Sequence, residues 1–362
     1  MFIVNTNKYF SVSEASFHCC KRSDDVSRML SCVISHVALQ IQGCEHEVKQ
    51  KYSGEQRRVK MSNDSCSKYA FQINFLPPLY GIEMCVALAG NLFALWLLIM
   101  KERKNWHPGV VFSCNLVISD VLYVLTLPLL IIYYAKKKEW IFGVAICKIE
   151  RFLFNCNLYV SIFFIMCISV NRYLAIVYPF FTRSYVRPKH AKITSVLTWL
   201  IVIIIVSPVL KYAGTESEND NNINKTFCVS CHDKSMKTSH FHYIVFLMVV
   251  GCMIPFVVTF ASYLGVIWTV LQNKNINTLE KRKVALLVGL VCVLYAISFV
   301  PYHVLQTKQV YLRTMGIQEC WVHNSYQVSK VLATLNMCIH PLLYMAVFDS
   351  IRTVCCGRSS DD

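Results

Sequence analysis

The chain has 362 residues, 55% of them hydrophobic and only 16% charged, and carries a net charge of +15. Its mean hydropathy of +0.43 is too apolar for an ordinary soluble domain of this length. The excess of Lys and Arg does not mark a nucleic-acid binder, because the basic residues sit in short clusters between apolar runs, as at the cytoplasmic face of a membrane protein. Nor do the 18 cysteines form a disulfide framework, since many lie inside apolar runs, where a thiol packs as a small hydrophobe.

Residues 1 to 75 are expected to be a flexible tail, of which 1 to 60 read as an extension, with Met61 a second candidate start. The only apolar patch there, Met29 to Ile41, is interrupted by Ser31, Ser35 and His36, too short to span and a poor signal peptide. Asn63 opens a glycosylation sequon. The first span runs from Leu76 to Met100 and carries Glu83, Gly90 and Asn91. A basic loop with Lys101, Arg103 and Lys104 follows. The second span, Val110 to Tyr134, holds Asp120 near its middle and Pro128 as a kink. A carboxylate alone in a span is costly and marks function.

After a loop with Lys136 to Lys138 and Trp140 comes the third span, Cys147 to Tyr178. Arg151 and Arg172 lie about 31 Å apart along it at about 1.5 Å per residue, close to the thickness of a hydrocarbon core. One helix thus carries an arginine near each membrane face, and the two directions differ by only about 60°. A basic loop from Arg183 to Lys192 leads to the fourth span, Thr194 to Tyr212, with Trp199 and Pro208. The polar loop Ala213 to His240 contains a second sequon at Asn224 and two cysteines, Cys228 and Cys231. The fifth span, Phe241 to Leu271, has Pro255 and Tyr263. The sixth, Val284 to Gln306, has Pro301 and His303. The seventh, Val322 to Val347, has Lys330, Asn336, His340, Pro341 and Tyr344. Residues 348 to 362 form a short tail with Cys355 and Cys356.

Apart from the lysine triplet after span two, the loops after spans one, three and five are the more basic, which puts them inside and the N-terminus outside. Both sequons then lie outside. Cys355 and Cys356 lie inside, where adjacent juxtamembrane cysteines read as palmitoylation sites. Cys66, Cys147, Cys228, Cys231 and Cys320 fall in the oxidising compartment. Cys147 is expected to pair with a cysteine of the long loop, and Cys66 with Cys320. The loop partner is open between two residues, with Cys231, followed by His232 and Asp233, preferred over Cys228.

Gly90-Asn91, Asp120, Trp140 to Gly143, Cys147, Arg172-Tyr173, Trp199, Pro255 with Tyr263, Pro301, and Pro341 with Tyr344 occur in an order that resembles the rhodopsin-like (class A) G-protein-coupled receptors from about Cys66 to Cys356. The implied fold is an all-α bundle of seven membrane helices, followed by a short cytoplasmic amphipathic helix. Within that class Leu122 to Pro128, Cys147 to Tyr159, Ser207 to Gly214, Pro301 to Val304 and Tyr326 to Leu335 are similar to the metabotropic purinoceptors, adenine-nucleotide branch. The Cys66–Cys320 pair is also similar to that family.

The resemblance implies a multi-pass plasma-membrane receptor for an extracellular nucleotide such as ATP or ADP. Its partners would be a heterotrimeric G protein and the bilayer, with no nucleic-acid polymer and no cofactor or metal centre. A polyphosphate needs several cations on an outward-facing cavity. Arg151, Asn155 and Tyr159 share a helical face by i, i+4, i+8 spacing, and so do Tyr326, Lys330 and Thr334. By resemblance Arg151, His303 and Lys330 would meet the phosphates, while Tyr326 and Gln327 would seat the ligand. Gln306 stands where the family usually has a base, with Lys308 as a substitute, and Lys330 stands where it often has arginine.

The resemblance also implies an inner switch of Arg172, Tyr173, Tyr263 and Tyr344, and a sodium-type pocket of Asp120, Ser161 and Asn336. Many relatives place an aspartate before the arginine. Asn171 cannot form that ion pair, so the lock should be weak, with Glu280 the nearby acid on span six. His340 replaces an Asn or Asp before Pro341 and is expected to donate to Asp120 in place of a cation. A receptor for a peptide or lipid is the alternative on the same fold. An enzyme is not expected, since no catalytic triad, metal cluster or phosphate-cradling glycine loop is legible.

Overall fold

A computed structural model of the protein describes residues 68–101, 108–220, 223–273, 278–317 and 319–347. The expectations placed on Asn63, Cys66, Cys355, Cys356 and the amphipathic helix after Val347 lie outside these residues.

Helices α1 (Lys68–Lys101), α2 (Pro108–Val124), α3 (Leu127–Ala135) and α4 (Gly143–Val177) come first. They are followed by α5 (Pro179–Tyr185), α6 (Pro188–Val206) and α7 (Val209–Tyr212). A hairpin of β1 (Gly214–Asp220) and β2 (Ile223–Val229) then precedes α8 (Lys237–Phe246), a π-helical segment (Leu247–Met253) and α9 (Ile254–Gln272). The last three are α10 (Thr278–Thr314), α11 (Cys320–Thr334) and α12 (Asn336–Val347).

Among the described residues six stretches are long and apolar enough to cross a membrane: Gln72–Met100, Pro108–Ala135, Gly143–Val177, Pro188–Tyr212, Lys234–Gln272 and Val288–Thr314. In lipid, only a helix satisfies its own backbone N–H and C=O groups, so apolar runs of this length fold this way. Their large outward residues, such as Trp96, Ile204 and Trp268, are exposed and face the hydrocarbon.

Two expectations need amending. The run from Val322 to Val347 is two helices, α11 and α12, that break at Leu335. Thr334 Oγ1 and Asn336 Nδ2 both bond to carbonyls within the turn at this break. The all-α expectation also misses the hairpin, an antiparallel pair in the register Thr215↔Cys228 and Asn219↔Asn224. Its alternating polar residues suit a solvated strand pair better than a helix.

Helix α4 is the centre of the bundle and packs against α2, α6 and α9, with the hairpin beside it. Asn91 Nδ2 donates to Met337 O at 2.8 Å, while the ring of Pro341 lies where a Cβ on Gly90 would meet it. These contacts fasten α1 to α12. Trp199 Nε1 donates to Asn115 Oδ1 at 3.0 Å and fastens α6 to α2.

Candidate functional site

The hairpin is tied to the outer end of α4 by a disulfide between Cys147 and Cys228, with a Cα separation of 5.6 Å. This corrects the expected Cys147–Cys231 bridge. Cys228 is on the paired part of β2, buried and opposite Thr215. Cys231 lies past the strand end, where its thiol points to Asp233 O at 3.4 Å. Burial raises the Cys231 thiol above its ordinary pKa. Cys320 is disulfide-bonded, and its expected partner Cys66 lies outside the described residues.

One helical turn below Cys147, Arg151 Nη2 donates to Cys228 O at 3.1 Å. The disulfide therefore also places the carbonyl that holds the arginine. Trp140 N donates to Thr226 O at 2.8 Å, a second tie between hairpin and bundle. Asn155 Nδ2 donates to Arg151 O at 2.8 Å, so its amide is engaged with its own helix.

Lys330, on α11, is 2% exposed, and its Nζ lies 4.5 Å from the centre of the Phe154 ring, a cation–π contact. Arg151 and Glu150 are the charged groups acting on it. Lys330 thus lies over Phe154, while Arg151, three residues before that ring on α4, is held by the Cys228 carbonyl and Glu150. That ring continues into a wall: Phe154 to Tyr302 at 5.7 Å and Tyr302 to Tyr326 at 5.8 Å. Gln327 Oε1 accepts from the Tyr134 hydroxyl at 3.4 Å.

His303 and Tyr159 face each other across the bundle with ring centres 5.7 Å apart. The Tyr159 hydroxyl, both His303 nitrogens and Gln306 Oε1 are buried, and no described group hydrogen-bonds them. Gly251 gives Tyr159 its room, because any Cβ there would collide with the tyrosine ring. This glycine sits in the π-helical segment, a local widening often found at functional sites.

Two sequence expectations change here, and one residue is added. Lys308 does not join the cations: it is exposed and lies over the Trp321 ring at 5.4 Å. Thr334 is taken up by Glu83: its hydroxyl lies 3.1 and 3.0 Å from the two carboxylate oxygens, which share its one proton with the Val331 carbonyl. This gives the buried Glu83 the partner that an acid in a span requires. Glu150, to which sequence reasoning assigned no role, is fully buried with Oε2 at 3.4 Å from Arg151 Nε. Its spacing to Phe154, Asn157 and Ser161, all on one helical face, was the available signal.

Deeper in the bundle, Asp120 Oδ2 meets His340 Nδ1 at 2.8 Å and Oδ1 accepts from Asn157 Nδ2 at 2.9 Å. Asn157 Nδ2 also reaches Ser119 Oγ at 3.2 Å. Asn336 Nδ2 turns to Ala333 O, while the Ser161 hydroxyl is buried without a partner among the described residues. A sodium ion does not fit this donor set, because an imidazole holds the carboxylate oxygen the ion would need and the Asn336 amide faces a carbonyl. At the inner end Tyr263 is buried and lies within the field of Arg172, and the Tyr173 ring is 5.9 Å from that of Tyr178. Of Glu280 and Tyr344 only the backbone is described, in α10 and α12.

Residues 90–344 match the family described as 7 transmembrane receptor (rhodopsin family). The chain is 37% identical over 311 residues to purinoceptor 11 of Homo sapiens, covering 80% of this chain and 82% of that protein. It is 37% identical over 295 residues to purinoceptor 1 of Mus musculus, covering 79% and 77%, and 37% identical over 298 residues to that of Gallus gallus, covering 80% of each. The polar interior found between six lipid-facing helices is thus that of a G-protein-coupled receptor of the plasma membrane, and the chain belongs to the rhodopsin family of seven-transmembrane receptors, among the purinoceptors.

Proposed function

We propose that the protein is a cell-surface receptor for extracellular nucleotides of the ATP or ADP class. It signals through a heterotrimeric G protein to phospholipase C and calcium, to adenylate cyclase, or to both. The observation that carries this reading is a pair of cations on two helices, a buried Lys330 over the Phe154 ring and a partly buried Arg151 three residues before that ring. Buried cations without a full set of carboxylate partners are costly, and a polyanion compensates them. Tyr326 and Gln327 border this cation site, and Tyr159, His303 and Gln306 offer unengaged polar atoms to the rest of the ligand. Thr334 is left out of this set because Glu83 engages it.

In this reading α11 and α12 together make the seventh crossing, and the N-terminus with residues up to 75 is outside. Residues 76 to 347 form the receptor domain, and residues 348 to 362 an inner tail with its amphipathic helix. Asn63 and Asn224 are glycosylated, Cys355 and Cys356 palmitoylated, and Cys66 bridges Cys320. Arg172, Tyr173, Tyr263 and Tyr344 form the switch whose equilibrium ligand and G protein bias reciprocally.

The test is calcium and cyclic AMP response to a nucleotide panel in receptor-null cells. Arg151→Ala and Lys330→Ala should each lower potency about tenfold or more with surface expression intact. Silence to every nucleotide from a well-expressed receptor would favour a peptide or lipid ligand, for which these two substitutions matter less.

A further inference from the structure

Among the described residues three acids are buried in the interior, and their surroundings differ. Glu83 accepts from Thr334. Asp120 is met by His340 and Asn157. Glu150 is as deeply buried, yet no described donor hydrogen-bonds either of its oxygens. Its nearest charge is Arg151 Nε at 3.4 Å, and it also acts on Lys330. A carboxylate kept for architecture would be hydrogen-bonded as the other two are, since an unsatisfied buried charge is destabilising.

We propose that Glu150 is a resident anion of the Arg151–Lys330 cation site, a specificity residue whose carboxylate stands in for a ligand phosphate beside Arg151 and sets the least anionic charge a ligand must bring. The inference deepens the nucleotide reading and rests on it for the ligand's identity. One fixed anion against two cations leaves the site cationic. A ligand with several negative charges compensates Arg151 and Lys330 better than Glu150 does and displaces it from Arg151. A ligand with few charges cannot outcompete a carboxylate that is covalently held in place, because the fixed group loses no translational freedom on pairing.

The test uses the purified full-length receptor, its thermal midpoint followed during titration with inorganic tripolyphosphate, with sulfate at matched ionic strength as control. Glu150→Gln removes the charge and keeps the shape. It should lower the half-effect concentration of tripolyphosphate by about tenfold, while Glu150→Asp behaves like wild type. In cells the same substitution should raise potency more for a nucleoside monophosphate than for a triphosphate. Equal or weaker tripolyphosphate binding in Glu150→Gln overturns the proposal. If Glu150→Gln does not fold, Glu150→Gln with Lys330→Gln restores the charge balance and should fold. Failure of both assigns the carboxylate to architecture and overturns the proposal as well. Tripolyphosphate discrimination without any nucleotide response would sink the nucleotide reading alone. A nucleotide response with no effect of Glu150→Gln would sink only the resident anion.

Discussion

His340 Nδ1 stands 2.8 Å from Asp120 Oδ2, joining α12 to α2 through two fully buried side chains. At this distance a proton lies between the two groups. The imidazole takes the place beside Asp120 that a cation would need. Agonist affinity should therefore change less than about twofold when sodium chloride is exchanged for an organic cation chloride at equal ionic strength, a coupling near zero. His340→Asn removes the imidazole and frees Asp120 Oδ2. It should create a sodium-specific loss of about fivefold or more. Radioligand competition in the two salts decides it, and a large sodium effect in the wild type would refute the argument.

Thr334 and Glu83 make a second buried pair across α11 and α1. Replacing Thr334 by Val preserves shape and deletes the only donor described for that carboxylate. The cost should be about 1–3 kcal/mol, the penalty of leaving a buried group unsatisfied, read as a lower melting temperature of the purified receptor. Nucleotide potency in cells should stay within about threefold of wild type. A large potency loss at unchanged stability would return Thr334 to the ligand set.

The bridge between Cys147 and Cys228 can be checked by mass spectrometry of the non-reduced protein and by substitution. Cys228→Ser should cost about 2–5 kcal/mol, typical of a lost native disulfide, and should loosen Arg151 by releasing the Cys228 carbonyl. Cys231→Ser should leave both stability and response close to wild type. Because burial raises the Cys231 pKa, its thiolate fraction at neutral pH is below that of a free cysteine. Its alkylation should accordingly be slow at pH 7 and should accelerate with pH beyond the point where an ordinary thiol levels off.

Asn171 precedes Arg172 at the inner end of α4 and carries no charge. Measurable basal signalling is expected, since one ion pair that would favour the inactive state is missing. Asn171→Asp should reduce it, and Glu280→Gln should raise it, each by a shift of about 1 kcal/mol in the two-state equilibrium. Second-messenger levels without ligand, normalised to surface receptor, report the outcome. A silent wild type that gains nothing from Glu280→Gln would count against a weakened lock.

Much of this molecule is a consequence of one-dimensional pattern. Apolar runs in lipid have to become helices, so the spans from Leu76 to Gln306 were legible from length and hydropathy alone, whereas Glu83 read equally well as an interfacial acid until the structure buried it. Helical spacing also placed Arg151 with Tyr159, and Tyr326 with Lys330, on shared faces.

Pairing between helices is not periodic, and only the tertiary structure decided it. Strand register chose Cys228 over Cys231, because a residue beyond the last paired position is carried away from the bundle. The rotation of α10 sent Lys308 outward to Trp321. The approach of α1 to α11 turned Thr334 to Glu83, whereas the contact of His340 with Asp120 was already expected from the sequence. Glu150 was the least legible of all. Next to Arg151 in sequence it reads as half of a local ion pair, and only the closure of the surrounding helices shows that neither of its oxygens has a hydrogen bond among the described residues.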